Sequence, residues 1–405
     1  MNRRRKRRGG CLISFILISL ILVLAGYGWY LFSSGKNEAF NRKIGHKIEQ
    51  QRPADAQPIP ENELGWYFGQ LDEEGQMLYQ MFYDAVTAGG ESFETACTDP
   101  DQIQTVWNAM MMDHPEFFWL TGGTKLTTYQ PALGEPYTVI APQRSCTPEE
   151  QIQREKEIDR TVQDYLADVD ADADEYDRIK RAYQYIIDTT DYDEYAADNQ
   201  NIYSVFAGHR SVCAGYAKAF QYLMKLQGIS CVFVTGTINE TGEAHGWNIV
   251  RCNDRYYHVD ATWGDPVYNG TDDPVPESMR AMNYDYLCCS DNVIEKTHTI
   301  DGKMQVPACA DDDLNYYRLH HMYYTDYDKD SFRQIIYDDV DEQKSCSVFC
   351  FADHDLYEQA QEDLTDSLLR DGANRILVNT GLSNIKTYYE ERPEMNKIVI
   401  YWQYE

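Results

Sequence analysis

The sequence predicts an α+β protein: a core in which one helix packs on an antiparallel sheet, an α/β segment before it and a small α/β unit after it. Three observations carry this. Tyr216, Phe220, Leu223 and Met224 recur at helical spacing, and Gly228 is a natural C-terminal stop. Cys231–Ile238 is a β-branched run of strand type. A second run over 245–252 is joined by the two-residue turn Asn253-Asp254 to a third over 255–263, which reads as a hairpin. The chain has 405 residues, room for about two or three ordinary domains. With 43% hydrophobic and 25% charged residues it has the composition of a folding chain.

Taken in order, the chain opens with six consecutive basic residues, 3–8, followed by an uncharged stretch from Gly9 to Gly35. Its centre is nearly all Leu, Ile, Val and Phe, and Tyr27, Trp29, Tyr30 and Phe32 close it. About 20 apolar residues cross a bilayer, aromatic residues favour its interface, and basic residues stay on the cytoplasmic side. The expectation is a cytoplasmic tail over 1–10, a single-pass signal anchor over 11–32 and an extracellular body. A signal peptide cleaved near Gly26 and Gly28 is the rival reading. Residues 33–62, with Pro53, Pro58 and Pro60, read as a stalk. Region 63–165 holds a helix around Leu78, Met81, Phe82, Ala85 and Val86, and another around Ile103, Val106, Trp107, Met110 and Met111. Strands follow at 126–128 and 137–141, and Thr147-Pro148-Glu149-Glu150 is a capping box that opens a third helix. The core is assigned to 166–310. In 311–405 a helix is predicted over 331–340, a strand over Cys346–Phe351, a second helix over 355–369 and closing strands over 385–389 and 397–404.

Charge and spacing exclude several functions. Lys+Arg number 36 against 66 Asp+Glu, a net charge of −30; without the six terminal basic residues the remainder stands at −36. Such a body lacks the basic face that a nucleic-acid binder needs. The acidic run 168–174 is not a calcium loop, because its sixth position is Ala173 rather than Gly and its twelfth is Ile179 rather than Glu. Asp326, Asp328 and Asp330 fail likewise, with Tyr337 at the twelfth position. The chain has no C-x-x-C pair, and vicinal Cys288-Cys289 suits zinc poorly. No metal or cofactor is expected. Ten cysteines lie beyond the apolar segment, enough for five bridges, although a chain of this size does not need them. On one strand, Cys346 and Cys350 are too far apart to pair with each other.

The chemistry concentrates between Ser211 and Pro266. Cys213 falls at the first turn of the predicted helix, where backbone N–H groups and the positive dipole end stabilise a thiolate. In the hairpin, Cys252 pairs with Arg255, Val250 with Tyr257 and Trp247 with Asp260. His245 then lies diagonal to Asp260 on the same face, within side-chain reach. A carboxylate there holds one imidazole nitrogen and leaves the other to face a thiol, which is nucleophile–base–orienter logic.

Val212-Cys213-Ala214-Gly215-Tyr216-Ala217, then His245-Gly246-Trp247-Asn248, then Tyr257-His258-Val259-Asp260-Ala261-Thr262-Trp263 resemble the transglutaminase-like superfamily, a branch of the papain-type cysteine enzymes. The resemblance is firm over about 175–266, weaker through Asn283-Tyr284-Asp285-Tyr286-Leu287 to His298, and silent about the ends. It implies a papain-like, transglutaminase-like catalytic domain with Cys213 as nucleophile, His245 as general base and acid, and Asp260 as orienter. The implied reaction is attack on an amide of a peptide or protein at the cell envelope to give a thioester. Water then releases it (protease or amidase), or an amine does (cross-linking transglutaminase); hydrolysis is preferred because water needs no second binding site. A non-catalytic surface-binding or scaffold module on the same fold is the alternative. The backbone N–H of Cys213 is one expected oxyanion donor, with Gln200 or Tyr203 as candidates for the second. Trp247 and Trp263 wall the cleft or pack the core. His258 is read as structural, and His298, His320 and His321 as outside the site.

Overall fold

The computed structural model describes residue 59, residues 64–265 and residues 281–404. The basic tail, the apolar segment and nearly all of the stalk lie outside the described residues. Among the described residues no helix is long and apolar enough to cross a membrane.

The chain divides into two compact units. The first takes in Leu71–Met110 and Leu120–Arg144. Its helix α1 (Glu73–Thr87) starts where the Asp72 side chain accepts the Gly75 N–H. Strands β1 (Phe93–Thr95), β2 (Leu120–Tyr129) and β3 (Tyr137–Arg144) form a sheet in the order β1-β3-β2. Helix α2 (Pro100–Asp113) places Trp107 beside Phe82, and the Trp107 indole N–H donates to Gly122 O at 3.0 Å. The strand predicted at 126–128 extends over all of β2.

The second unit takes in Pro60–Gln70, Met111–Trp119 and everything from Ser145 onward. Helix α3 (Pro148–Ala167) carries the expected capping box: Thr147 accepts from Glu150 N, and the Glu150 carboxylate accepts from Thr147 N. Helix α4 (Glu175–Thr189), capped by Asp174, buries Ile179, Ala182, Tyr183 and Ile186. The acidic run 168–174 is thus the approach to this helix. Short strand β4 (Asp191–Tyr192), helix α5 (Ile202–Phe206) and strand β5 (Arg210–Ser211) lead into α6 (Cys213–Leu226). Helix α6 buries Tyr216, Phe220, Leu223 and Met224, and Gly228 beyond its end has φ +72°, the left-handed conformation expected of a glycine stop.

A five-stranded sheet stands beside α6, in the order β10-β6-β7-β8-β9. It comprises β6 (Cys231–Ile238), β7 (Ala244–Cys252), β8 (Arg255–Val259), β9 (Leu287–Cys289) and β10 (His298–Ile300), all antiparallel neighbours. The β7–β8 register pairs Cys252 with Arg255 and Val250 with Tyr257, as predicted. Asn253 and Asp254 sit at φ +50° and +65°, the conformation that a two-residue primed turn demands. The third run is corrected in length: β8 ends at Val259, and Asp260 caps a short helix α7 (Ala261–Gly264) by accepting from Thr262 N and Trp263 N. Two side-chain acceptor bonds to backbone donors outweigh the β-branched composition of the run.

After α8 (Asp291–Ile294) and α9 (Tyr316–Leu319), a four-stranded sheet in the order β11-β12-β14-β13 is built from β11 (Tyr323–Tyr324), β12 (Cys346–Phe351), β13 (Tyr388–Arg392) and β14 (Lys397–Tyr401). Helices α10 (Lys329–Asp341), α11 (His354–Glu362) and α12 (Leu368–Thr380) close a core of Phe332, Ile336, Phe349, Leu368, Ile398 and Trp402. The helix predicted over 355–369 runs on through a π-turn at Asp363–Ser367 to Thr380, where Gly381 at φ +73° stops it. The strand predicted at 385–389 forms three residues later. None of the ten described cysteines is joined in a disulfide.

Candidate active site

Cys213 is the first residue of α6, partly exposed, with Val212 at the N-cap and no acidic side chain in the first turn. Gly215, two residues on, is dictated by packing: a Cβ there would stand 1.9 Å from Ser211 Oγ. Ser211 Oγ is itself tied to Ser204 Oγ at 2.7 Å and Asn199 O at 2.9 Å, which pins the backbone leading into Cys213.

His245, in β7, is 5% exposed, and its Nε2 lies 2.7 Å from Asp260 Oδ2. An ionised carboxylate only accepts hydrogen bonds, so Nε2 carries the proton. Nδ1 is then the ring atom left to face Cys213, whose thiol acts on the imidazole electrostatically. Burial alone would lower the His245 pKa. The Asp260 charge, its hydrogen bond and the Cys213 thiol outweigh that and push it up to about 10. Asp260 is 1% exposed; burial would raise its pKa, but His245 and then His298 hold it well below the usual carboxylate range. Oδ1 takes the Thr262 and Trp263 N–H groups at 2.9 and 3.2 Å, and the Asp260 N–H donates to Tyr286 O at 3.0 Å. The cap that ends β8 therefore also aims the carboxylate.

The structure adds one residue that the sequence reading sets outside the site. His298 Nε2 lies 3.2 Å from the same Asp260 Oδ2, and its Nδ1 lies 2.8 Å from Thr297 Oγ1. Strand β10 pairs His298 with Ile238 and Ile300 with Gly236, while Gly236 pairs with His245 across β6 and β7, so the two histidines share one face of the sheet. Three-residue β10 shows no alternation that sequence could reveal, and only its pairing with β6 brings His298 to Asp260.

The aromatic residues fall into roles. Trp263 is half-buried, 6.3 Å edge-on from His245 and 4.7 Å from His298, and stands as a wall of the site. Trp247 is fully buried and stacks on His245 at 6.0 Å. Its indole N–H donates to His258 Nδ1 at 3.0 Å, while His258 Nε2 faces Asp291 Oδ1 at 2.9 Å. Burial keeps His258 neutral by lowering its pKa, which matches a structural part that holds Trp247. The two candidates for a second oxyanion donor have partners elsewhere: Gln200 is exposed and reaches Asn199, and the Tyr203 hydroxyl donates to Glu157 at 2.9 Å. His320 packs on Tyr316 at 4.1 Å.

Among the described residues, two groups bring metal-ligand atoms together: His245, Asp260 and His298, and His258, Asp291 and Cys309, each set within 4.8 Å of one another. In the first, the lone pairs on the facing ring atoms are taken up by the N–H protons given to Asp260. In the second, His258 Nδ1 accepts from an indole N–H, which forces the ring proton onto Nε2 and blocks that atom as a ligand.

Residues 163–261 match the family model of the transglutaminase-like superfamily. This stretch is a transglutaminase-like domain. The chain is 26% identical over 129 residues to kyphoscoliosis peptidase of Homo sapiens, and equally to that of Mus musculus; each match covers 28% of this chain. The chain spans only 19% of the length of these relatives. Among solved structures, a TGase overlaps 46% of this chain and 54% of its own at 15% identity, TM-score 0.26. A structure described as a candidate cysteine protease from Cytophaga hutchinsonii overlaps 36% and 65% at 12% identity, TM-score 0.24. The transglutaminase-like domain holds Cys213, His245 and Asp260; His298 lies beyond it in sequence.

Proposed function

We propose that this chain is a membrane-anchored, extracellular thiol enzyme that hydrolyses peptide or protein amides at the cell envelope, with Cys213, His245 and Asp260 as its catalytic residues. One observation carries the reading: Cys213 opens a helix and meets the ring of His245 whose opposite nitrogen is bonded to buried Asp260. His245 Nδ1 takes the thiol proton. The thiolate sulfur then bonds to the amide carbonyl carbon, and the oxyanion forms near the Cys213 backbone N–H. As the C–N bond breaks, Nδ1 returns its proton to the leaving amine, and a thioester remains. Water adds to the thioester with His245 as base, releasing the acid and the thiol. Asp260 holds the tautomer and supports the imidazolium throughout. Hydrolysis rather than amine transfer is supported by the name of the peptidase relatives and by water needing no second site. The basic residues 3–8 and the apolar stretch after them support the anchor, with the body outside.

A reporter peptide tests the reaction. Wild-type enzyme should release the acid, and added amine should be incorporated slowly or not at all. Cys213→Ala should abolish turnover, and His245→Ala should lose nearly as much. A Cys213→Ala chain that keeps the wild-type rate overturns the assignment and leaves a surface-binding module. Protease added to intact cells tests the location: it should remove the body and leave an anchored stub, and a body cut only after lysis overturns the extracellular placement.

A further inference from the structure

Asp260 Oδ2 serves two imidazoles. We propose that His298 is a positioning residue of this site, acting through Asp260: its Nε2–H takes a share of the Oδ2 charge, so that His245 remains acidic enough to protonate the leaving amine. The inference rests on the catalytic reading of Cys213, His245 and Asp260.

The observations are geometric. A carboxylate offers about four acceptor positions. At Asp260 all four are filled, by Thr262 N, Trp263 N, His245 Nε2 and His298 Nε2. The two backbone donors on Oδ1 already fix the carboxylate's orientation. What His298 adds is therefore a second donor on the oxygen that faces His245. A hydrogen bond to the charged form makes a carboxylate a weaker base. A weaker base on Nε2 leaves the imidazolium less tightly held, which favours proton delivery to a poor leaving group.

The fold invests in this contact. Gly236 lies where β10 crosses β6, and a Cβ there would stand 2.1 Å from Thr299 O and 2.7 Å from the Trp247 ring. Only glycine lets β10 approach closely enough to bring His298 to Asp260. The ring of His298 is fully buried between Trp263 at 4.7 Å, Trp247 at 5.1 Å and Tyr286 at 5.5 Å, and Thr297 Oγ1 holds its Nδ1. The other titratable groups facing the pair are Cys213 from α6, Tyr183 from α4, Tyr286 just before β9, Cys289 from β9 and His258 from β8. Burial raises Tyr183, Tyr286 and Cys289 far above neutral and lowers His258, so these four stay uncharged while His245 titrates.

The first measurement needs no substrate. The rate of Cys213 alkylation by iodoacetamide, followed by mass spectrometry across pH on the full chain, reports thiolate formation and then loss of the His245 proton. In His298→Phe, which keeps a ring but no donor, the upper inflection should move up by about one pH unit. In His298→Gln, which keeps an N–H toward Asp260, it should stay near wild type. On turnover, His298→Phe should lose about ten- to a hundredfold on an anilide, the worth of one hydrogen bond to a charged group. It should lose far less on a nitrophenyl ester, whose phenolate departs without needing a proton. Gly236→Ala, which displaces β10, should reproduce the shift of His298→Phe. An upper inflection in His298→Phe that stays put or moves down, or equal losses on anilide and ester, overturns the proposal. Absence of preferential Cys213 alkylation in the wild type instead overturns the parent reading.

Discussion

Lys397→Met removes an ammonium from the centre of a buried polar cluster. Lys397 opens β14, is 2% exposed, and its Nζ lies 2.6 Å from both carboxylate oxygens of Asp285, which is 4% exposed. Nζ also donates to Asn283 Oδ1 at 3.1 Å and to the Tyr317 hydroxyl at 3.2 Å. Met keeps the volume of the stem, so the loss is that of the charge and its donors. Removing one partner of a buried ion pair costs about 3–5 kcal/mol. Arg392 Nη1, 3.1 Å from Asp285 Oδ2, remains as a partner, which places the expected loss near the lower end, about 3 kcal/mol. Adding Asp285→Asn relieves the uncompensated carboxylate, so the double variant should recover about 1–2 kcal/mol relative to Lys397→Met alone. The assay is urea unfolding of the full chain by tryptophan fluorescence and far-ultraviolet circular dichroism together, because a chain of two units need not unfold in one step. A single variant that loses less than about 1 kcal/mol, or a double variant that loses the sum of the singles, refutes the reasoning.

The pH dependence gives a second reading of the same cluster. Burial alone would raise the Asp285 pKa, but Lys397 and then Arg392 hold it below the ordinary value of 3.8. Its contribution is therefore present above that value and is lost as pH falls through the lower folded one. Lys397→Met should flatten this acid limb. The damage should also reach the site, because the Tyr183 hydroxyl donates to Asn283 O and the Asp260 N–H donates to Tyr286 O in the same loop.

Three further outcomes are expected. Gly215→Ala forces the new methyl against Ser211 Oγ, costing about 1–3 kcal/mol in thermal or urea unfolding and lowering turnover by shifting the first turn of α6; Ser211→Ala in the same chain should recover part of both. His245 keeps its proton to about pH 10 in the fold against 6.5 when unfolded, so its stabilising contribution is complete below 6.5 and is lost as pH rises through about 10; His245→Gln should remove that alkaline loss from a stability–pH curve. Asp260→Asn should slow reporter hydrolysis less than Cys213→Ala, and adding it to Cys213→Ala should cost little more, since the three groups act as one unit.

Local chemistry made much of this legible. The capping box at Thr147, the glycine stop at Gly228 and the turn at Asn253-Asp254 act over two to four residues, so sequence alone determines them. The turn sets the hairpin register, and the register sets His245 diagonal to Asp260. Cys213 at a helix start follows from the period of the residues after it. Tertiary structure decided the rest. Asp260 left its predicted strand because two backbone donors reward it as a cap. Strands β9 and β10, three residues each, are defined by their pairing with β8 and β6, and so short a strand carries no period of its own. The pairing of His298 with Asp260 and of Lys397 with Asp285 spans 38 and 112 residues. Such contacts are stable only where the fold has already excluded water from both groups, and that exclusion is written in no local stretch of the chain.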